Sequence, residues 1–257
     1  MSYTYEYPLP AVTVDMVIFT IRKKKLKVLL IERRDDPHKG EWALPGGFVE
    51  VGKGHVPCSF KEQGESLEAA AERELFEETG LQRERDGVFL EQLYTFGNPG
   101  RDPRGRVISV AYYALISPET YHRVEAGDDA AAAEWVDVWR PAGLEEYQPE
   151  TSVLRTVDAH KYSLAFDHTQ ILRCALERIR GKIDYDPRLV RALLPSEFTS
   201  TEFRRVHEVV KGTSYDASNF NKRFKRMVED GRFVELEDHK DPKSSGRPSR
   251  LYRFADE

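Results

Sequence analysis

The sequence predicts an α/β sandwich over the first part of the chain. Over the rest it predicts a small domain of three helices and a hairpin, which is the pattern of a winged helix. Up to about residue 140, runs rich in Val, Ile and Leu surround one strongly acidic helix. After Asp167 the pattern changes to amphipathic helical segments followed by two short strands. A chain of 257 residues is long enough for two domains that each bury a core.

The first part is predicted to begin with a hairpin, because the apolar runs 11–19 and 26–31 flank the charged turn RKKK. The acidic helix is predicted from Ser66 to Thr79, where Gly80 ends it. Further strands are predicted at 88–95, 107–116 and 134–139. In the second part we expect helices at about 168–181, 200–211 and 217–230, and strands at 232–236 and 250–254.

The net charge of −5 is unevenly divided along the chain. Residues 1–160 carry 19 Lys and Arg against 28 Asp and Glu, whereas residues 161–257 carry 20 against 16. An acidic front half is therefore joined to a mildly basic back half. This asymmetry is compatible with a nucleic-acid-binding tail but does not establish one.

Two cysteines, Cys58 and Cys174, cannot form a disulfide framework, which favours a reducing compartment. No run approaches the ~18 consecutive apolar residues of a membrane span, and the N-terminus has no basic region followed by an apolar run. We therefore expect a cytoplasmic protein that does not contact a membrane.

Three carboxylates of the acidic helix share one face. Glu74, Glu77 and Glu78 fall within a ~100° arc, because residues at i, i+3 and i+4 lie on the same side of a helix. Like charges at this spacing destabilise a helix, and Mg²⁺ or Mn²⁺ would remove the repulsion because both ions take oxygen ligands. Arg73 can pair with Glu77 and hold it in position. From spacing alone, a solvated acidic face remains the alternative interpretation.

The segments GGFVE and GESLEAAAERELFEETGL resemble the Nudix box, G-x5-E-x7-R-E-U-x-E-E-x-G-U with U aliphatic. The matching positions are Glu65, Arg73, Glu74, Leu75, Glu77, Glu78, Gly80 and Leu81. The resemblance implies a Nudix α/β/α sandwich in which Glu74, Glu77, Glu78 and the carbonyl of Gly46 bind the metal ions. It also implies catalytic roles for these carboxylates, Arg73 and Glu65, with activated water attacking a phosphorus of a nucleoside diphosphate linked to another group.

One insertion departs from the family pattern. Gly47 and Glu65 are separated by 17 residues where the box has five, so 12 residues are added before the acidic helix. The added loop is either a lid or specificity loop, or an obstruction that leaves a binding-only domain. Further along, Asp129 lies where Nudix proteins often supply another acidic group to the metal, although a helix N-cap explains it equally well.

The segment YTFGNPGRDPRGRVISVAYYALI contains candidate ligand contacts. Arg101, Arg104 and Arg106 suit phosphate recognition, and Tyr94 and Phe96 suit stacking on a base. Solvated loop arginines are the alternative interpretation. The segment resembles the ligand-contacting loop of the ADP-ribose-handling branch of Nudix proteins, which implies ADP-ribose or a related nucleotide as the ligand.

Two helices joined by the turn TSYDAS predict a helix-turn-helix, the first of them opened by a capping box at Thr199–Glu202. In the second helix, the spacing of the apolar residues predicts a buried stripe and leaves the basic residues outside. Candidate DNA contacts are Asn221, Lys222, Arg223 and Arg226 in this helix and Arg247 in the wing. A helical appendage used only for dimerisation is the alternative.

The segments LAFDHTQIL, LLPSEFTSTEFRRVHEV, SNFNKRFKRMVEDG and GRPSRLYRF resemble the tail of Nudix-related transcriptional regulators of NAD metabolism. This resemblance implies a Nudix domain over 1–155, a winged-helix domain over 160–257, and a homodimer that binds a double-stranded operator. Three hypotheses follow. The chain is a metabolite-responsive regulator that also hydrolyses its ligand, a dedicated pyrophosphohydrolase with a dimerisation tail, or a binding-only sensor.

Overall fold

The computed structural model describes residues 6–51, 64–122, 124, 132–138, 164–240 and 249–255. In chain order the elements are β1 (Ala11–Arg22), β2 (Lys25–Glu32), β3 (Trp42–Ala43), β4 (Gly46–Phe48), α1 (Leu67–Thr79), β5 (Phe89–Phe96), β6 (Val107–Leu115), α2 (Pro118–Tyr121), β7 (Ala133–Val138), α3 (His168–Lys182), α4 (Pro187–Leu193), α5 (Ser200–Lys211), α6 (Ala217–Glu229), β8 (Phe233–Lys240) and β9 (Arg250–Phe254). All predicted elements are present, with ends that differ by at most four residues. The elements β3, β4, α2 and α4 were not predicted, because all are short and lack a periodic pattern.

The first seven strands form one mixed sheet. The path runs β3-β2-β1-β6-β5, while β4 pairs with β1 and β7 pairs with β2. The strands β1 and β2 form the predicted antiparallel hairpin, and its turn residues Lys23 and Lys24 both adopt positive φ, at 49° and 64°. The strand β1 also pairs in parallel with β6, so it is the central strand of the sheet.

Strand β1 is buried on both faces, and this arranges the helices in layers. Its even-numbered residues Val14, Met16 and Ile18 pack in one apolar cluster with Ala71 and Leu75 of α1. Successive strand residues point to opposite faces, so the odd-numbered residues enter a different cluster on the other side. A single strand thereby fixes the α/β/α sandwich that the sequence predicts.

The second helical layer is α3, although the sequence predicts this helix as part of the C-terminal domain. Leu172 and Leu176 of α3 share a buried cluster with Val17 and Phe19 of β1. Polar contacts reinforce this packing, because Lys182 donates to both carboxylate oxygens of Glu91 at 2.7 and 2.9 Å. The helix therefore joins the sandwich to the C-terminal helices. The predicted domain boundary near 155–160 falls outside the described residues.

The C-terminal helices and β8–β9 hairpin form a winged helix around an aromatic core. Thr199 and Glu202 make the predicted capping box at the start of α5, and Gly212 ends that helix with φ 66°. Phe203, Phe224 and Phe233 are each at most 4% exposed and pack against one another. This core holds one side of α6 against the hairpin, and the opposite side of α6 is exposed to solvent.

Within the described part of the chain, none of the helices has the length and apolar character needed to cross a bilayer.

Candidate functional site

The acidic helix α1 is held at the sheet by local capping and by its apolar side. Ser66 accepts a hydrogen bond from the Ala69 backbone N–H as the N-cap, and Gly80 adopts φ 69° at the C-terminal end. Ala70, Ala71 and Leu75 are fully buried against the sheet. This packing turns the face carrying Glu74 and Glu78 towards strand β4 and its two glycines.

Arg73 lies at the centre of the carboxylate cluster. Its guanidinium donates to both oxygens of Glu65 at 2.7 and 3.1 Å, to Glu74 at 2.7 Å and to Glu77 at 2.8 Å. It also donates to the carbonyl of Phe48 at 3.1 Å, which connects α1 to β4. The hydrogen bond from Arg73 is the largest influence on Glu65 and lowers the pKa of that carboxyl. Arg73 therefore positions three carboxylates at once, where spacing predicted only its pairing with Glu77.

The carboxylate face of α1 is largely buried. Glu74 is 5% exposed and Glu78 is 7% exposed, whereas half of the Glu77 side chain is exposed. Burial raises the pKa of Glu74, and the contact with Arg73 opposes this shift. A merely solvated acidic face would not place two of its three carboxylates in the interior, so the geometry disfavours that interpretation.

Two glycines allow the backbone of β4 to approach the carboxylates. A Cβ on Gly47 would lie 2.3 Å from the Oε1 atom of Glu74, a separation that no side chain can adopt. Gly46 has φ 156°, and a Cβ there would lie 2.3 Å from the carbonyl oxygen of Val14. Gly46 pairs with Asp15 of β1 in the ladder. The strand and the helix are therefore in contact where the sequence predicts the metal ligands.

The donors at this contact suit a divalent cation. Carboxylates and a backbone carbonyl are the hard oxygen ligands that Mg²⁺ and Mn²⁺ prefer. Within the described ranges, no three Asp, Glu, His or Cys side chains are already grouped around one ion position. Glu74 and Glu77 are instead turned towards Arg73. The predicted accessory ligand Asp129 lies outside the described residues.

Arg101 has an almost completely buried side chain. Its side chain is 4% exposed, and it donates to Asp167 at 2.6 and 2.9 Å and to Asp15 at 3.3 Å. The Ser109 hydroxyl also donates to Asp15. The buried His168 ring accepts a hydrogen bond at Nδ1 from the Leu44 N–H, at 2.9 Å. This network joins the arginine loop to the start of α3, so the structure gives Arg101 an internal role.

Arg104 lies beside the carboxylate cluster and contacts aromatic rings. Its guanidinium is 5.0 Å from the ring centre of Phe48 and 5.6 Å from that of Phe166. Arg33 lies 4.9 Å from the same Phe166 ring. The pKa of Arg33 is lowered, first by burial and then by the charge of Arg104. Asp102 balances Arg104 through hydrogen bonds at 2.7 and 3.0 Å.

The other predicted ligand contacts are dispersed. Tyr94 is 62% exposed, while Phe96 is 7% exposed and belongs to the apolar core beneath the sheet. The Phe96 ring is therefore not free to stack flat on a base. Arg106 donates to the carbonyl of Gly97 at 2.6 Å and bends the loop on itself.

Several residues at this site escaped prediction. Asp15 was the most detectable, because a lone carboxylate inside the apolar run AVTVDMVIF needs a buried partner. Asp167 resembles an ordinary residue preceding a helix. Phe48 and Phe166 carry no signal in the sequence, because only the packing of β4 against the arginine loop and α3 brings them together.

The exposed face of α6 carries the predicted DNA contacts, with one exception. The solvent side of α6 carries Asn221, Lys222 and Lys225. Arg226 is also exposed and lies at the edge of this face. Arg223 is half-buried and donates to the Asp184 carbonyl at 3.1 Å, so it braces α6 against the turn after α3. Lys225 was not among the predicted contacts. Arg247 lies outside the described residues.

Comparison with known proteins assigns both parts of the chain. Residues 9–156 match the NUDIX domain family, and residues 190–254 match the NrtR DNA-binding winged helix domain. An ADPR-responsive transcriptional repressor of Acinetobacter baylyi is 36% identical over 250 residues, which cover 97% of this chain and 84% of that protein. An ADP-ribose pyrophosphatase of Methanocaldococcus jannaschii is 42% identical over 130 residues, which cover 50% of this chain and 63% of that protein.

A solved structure matches both parts together. The crystal structure of Shewanella oneidensis NrtR complexed with a 27mer DNA has a TM-score of 0.68 and 29% identity. The match covers 95% of this chain and 93% of that one, and it confirms the predicted combination of folds. The Nudix box is assembled around Arg73, and a winged helix follows it in the same chain. The chain therefore belongs to the Nudix family and, within it, to the members that carry an NrtR-type winged-helix domain.

Proposed function

We propose that this chain is a DNA-binding transcriptional regulator whose Nudix domain binds ADP-ribose or a related nucleotide and hydrolyses its pyrophosphate. One observation carries the proposal. The carboxylate cluster around Arg73 and the exposed basic face of α6 occur in a single chain, and α3 packs against both the Nudix sheet and the winged helix. The full-length similarity to an ADPR-responsive repressor supports the same function.

The ligand surface proposed for the nucleotide includes Phe48, Arg33, Arg104 and Phe166. Phe48 is 46% exposed, so its ring is available for stacking on a base. The two guanidiniums lie over the same Phe166 ring, and their mutual repulsion would be relieved by a phosphate group between or beside them. Two aromatic rings and two guanidiniums, one of them paired with Asp102, lie next to a carboxylate cluster, and this combination fits a nucleoside diphosphate better than a simple sugar or an amine.

Hydrolysis is proposed to require Mg²⁺ or Mn²⁺, held by Glu74, Glu77, Glu78 and the carbonyl of Gly46, with Asp129 as an accessory ligand. The bound ion would neutralise phosphate oxygens and lower the pKa of a water molecule. Arg73 keeps Glu74 and Glu77 in place before binding, and both carboxylates would exchange this contact for the ion. Glu65 accepts two hydrogen bonds from Arg73, which partly neutralise the guanidinium and keep it oriented.

The enzymatic part is tested by incubating the full chain with ADP-ribose and Mg²⁺ and measuring AMP and ribose 5-phosphate. Glu78→Gln should lower the rate by several orders of magnitude, because a metal ligand is lost while the side-chain shape remains. DNA binding of the same variant provides the control for folding. No turnover of any nucleoside diphosphate derivative, with Mg²⁺ or Mn²⁺, would leave a binding-only sensor.

The regulatory part is tested by fluorescence anisotropy with the DNA upstream of the chain's own gene. A homodimer should bind a pseudo-palindromic duplex there, and ADP-ribose should change its affinity. By linkage, the ligand must then bind the DNA complex more weakly or more tightly by the same factor. Affinity no better than for random duplex at ~150 mM salt, with and without ADP-ribose, would reduce the tail to a dimerisation module.

A further inference from the structure

A second cleft lies inside the winged-helix part, away from the Nudix site. It opens between the turn joining α3 to α4 and the C-terminal half of α6, and its volume is about 660 Å³. This volume falls within the ~300–1,000 Å³ typical of small-molecule sites. Its apolar walls come from Val190, Phe203, Met227, Phe233 and Phe254. We refer to this space as the α6 cleft.

Basic side chains surround the α6 cleft. Its lining includes five arginines and two aspartates. Three of the arginines, Arg191, Arg226 and Arg232, form no ion pair with any carboxylate in the described ranges. One of the two aspartates, Asp184, is already engaged by Lys211 at 2.6 Å. The second aspartate, Asp230, also lines the cleft, so five guanidiniums face two carboxylates and the lining has a positive net charge beside an apolar wall.

A buried histidine supplies an independent sign of a missing partner. His207 lines the α6 cleft and is 1% exposed, and neither of its ring nitrogens has a hydrogen-bond partner among the described residues. Its Nδ1 lies 3.4 Å from an Asp184 carboxylate oxygen, at a geometry outside that of a hydrogen bond. The rings of Phe203 and Phe220 lie 5.0 and 5.5 Å away, and the charges of Arg223 and Lys211 also act on the imidazole. A buried polar group without a partner is costly, and a ligand atom in the cleft would supply one.

We propose that the α6 cleft binds a small organic anion. A flat apolar body would contact Phe203, Met227 and Phe233, and a carboxylate or phosphate would pair with Arg226 and Arg232. Arginine is suited to this role because its planar guanidinium binds such groups through two hydrogen bonds. A polar atom of the ligand would reach the ring of His207.

The position of the cleft gives its occupant access to α6. Met227 and Arg226 belong to the side of α6 that faces the cleft, while Asn221, Lys222 and Lys225 lie on the solvent side. The residues that line the cleft are separate from those around Arg73, so the proposal does not depend on ADP-ribose binding or hydrolysis.

The test is calorimetric titration of the full chain with four probes: 2-naphthoate, 2-naphthyl phosphate, neutral 2-naphthamide and inorganic phosphate. At least one of the two organic anions should bind saturably with one molecule per chain. Naphthamide and inorganic phosphate should each bind at least ten times more weakly, since one lacks the charge and the other lacks the apolar body. The comparison between naphthoate and naphthyl phosphate decides which anionic group the cleft prefers.

Matched variants locate the probe. Arg226→Gln with Arg232→Gln should weaken binding at least tenfold, whereas Lys222→Gln with Lys225→Gln removes two charges from the other side of α6 and should leave it unchanged. The imidazole signals of His207 should shift on saturation, as followed by NMR of labelled protein. This measurement does not require a substitution in the aromatic core, so it is unaffected by folding defects.

Four results would overturn the proposal. They are no saturable binding of either organic anion, equal affinity for inorganic phosphate, undiminished binding by the Arg226 and Arg232 double variant, and unchanged His207 signals at saturation. Displacement of the probe by ADP-ribose would place it at the Nudix site and would also contradict the α6 cleft as the binding site.

Discussion

Arg101 donates two hydrogen bonds to Asp167, at 2.6 and 2.9 Å, although the two residues lie in different halves of the chain. The arginine belongs to the loop after β5, and the aspartate immediately precedes α3. With a side chain only 4% exposed, the arginine is held in the interior between Asp167 and Asp15. This ion pair therefore ties the Nudix loop to the helix that packs against the winged helix.

Removing Arg101 should destabilise the chain more than removing one of its partners. Arg101→Met leaves the buried Asp15 and the half-buried Asp167 without their cation. Breaking a buried pair in this way costs about 3–5 kcal/mol. Asp167→Asn leaves Arg101 paired with Asp15 and should cost clearly less. Urea unfolding of both variants measures the difference. The exposed Arg188 provides the control, since the buried carboxylate of Asp186 keeps Lys182 at 3.6 Å when Arg188 is removed. Arg188→Gln should therefore change the unfolding free energy by less than about 1 kcal/mol. Equal losses for all three variants would contradict the internal role of Arg101.

The same ion pair should carry part of the coupling between ligand and DNA. The compared quantity is the ratio of DNA affinities with and without ADP-ribose. In Asp167→Asn, we expect this ratio to be at least about threefold closer to one than in the unmodified chain. Anisotropy titrations with and without ADP-ribose measure this ratio. Binding of ADP-ribose alone, measured by calorimetry, should remain. An unchanged ratio would exclude the Arg101–Asp167 contact from the coupling.

Gly47→Ala should impair hydrolysis without unfolding the chain. The added Cβ would lie 2.3 Å from Glu74, so either the carboxylate or β4 must move. We expect the rate of ADP-ribose hydrolysis to fall at least tenfold. Gly181→Ala in α3 is the control, because no atom lies within 4 Å of its added Cβ. That change should keep the rate and stabilise α3 by about 0.5–1 kcal/mol. Full activity of Gly47→Ala would show that Glu74 need not lie under β4.

The stability of the chain should fall in mildly acidic solution because of His207. Burial, followed by the charge of Arg223, lowers the pKa of His207 from 6.5 to about 4. The unfolded chain therefore takes up a proton before the folded chain does. The contribution of His207 is fully present above pH 6.5 and is lost as the pH falls towards 4, with an upper limit of about 3 kcal/mol.

Unfolding free energies at pH 7.5 and pH 5 test this contribution. The loss between the two values should be smaller in His207→Gln than in the unmodified chain. His168 acts in the same direction, because burial also lowers its pKa, and it remains in both proteins. Asp184 and Lys211, which face His207, are unchanged in both proteins as well. An identical loss in the two proteins would contradict the prediction.

Lys222 and Lys225 should contact DNA phosphates from the exposed face of α6. Replacing both with Gln should reduce the slope of log affinity against log salt concentration by about 2, since each phosphate contact contributes about 0.9. Lys25→Gln, on the Nudix sheet, should leave the slope unchanged. Arg223→Gln should instead lower stability, because Arg223 donates to the Asp184 carbonyl. An unchanged slope in the double variant would place the DNA contacts elsewhere.

Local patterns in the sequence were enough to predict the four longer helices, the main strands and the carboxylate face of α1. Apolar periodicity places α5 and α6 within two residues of their observed ends, since capping and burial of one face are properties of neighbouring residues. Elements without such patterns, such as β4 and α4, were missed. Among the site residues, helical spacing predicted that Glu74, Glu77 and Glu78 share a face, and the resemblance to the Nudix box added Glu65 and Gly46.

Only the tertiary structure determined which residues far apart in the sequence contact each other. The sequence determined that Glu74, Glu77 and Glu78 share a face and that α6 carries exposed lysines, because both depend on positions within one helix. It did not determine that Arg101 would pair with Asp167, 66 residues away, or that α3 would cover the Nudix sheet. Contacts of that kind depend on how the sheet and helices pack, and packing satisfies a buried charge with whichever partner the fold brings within reach.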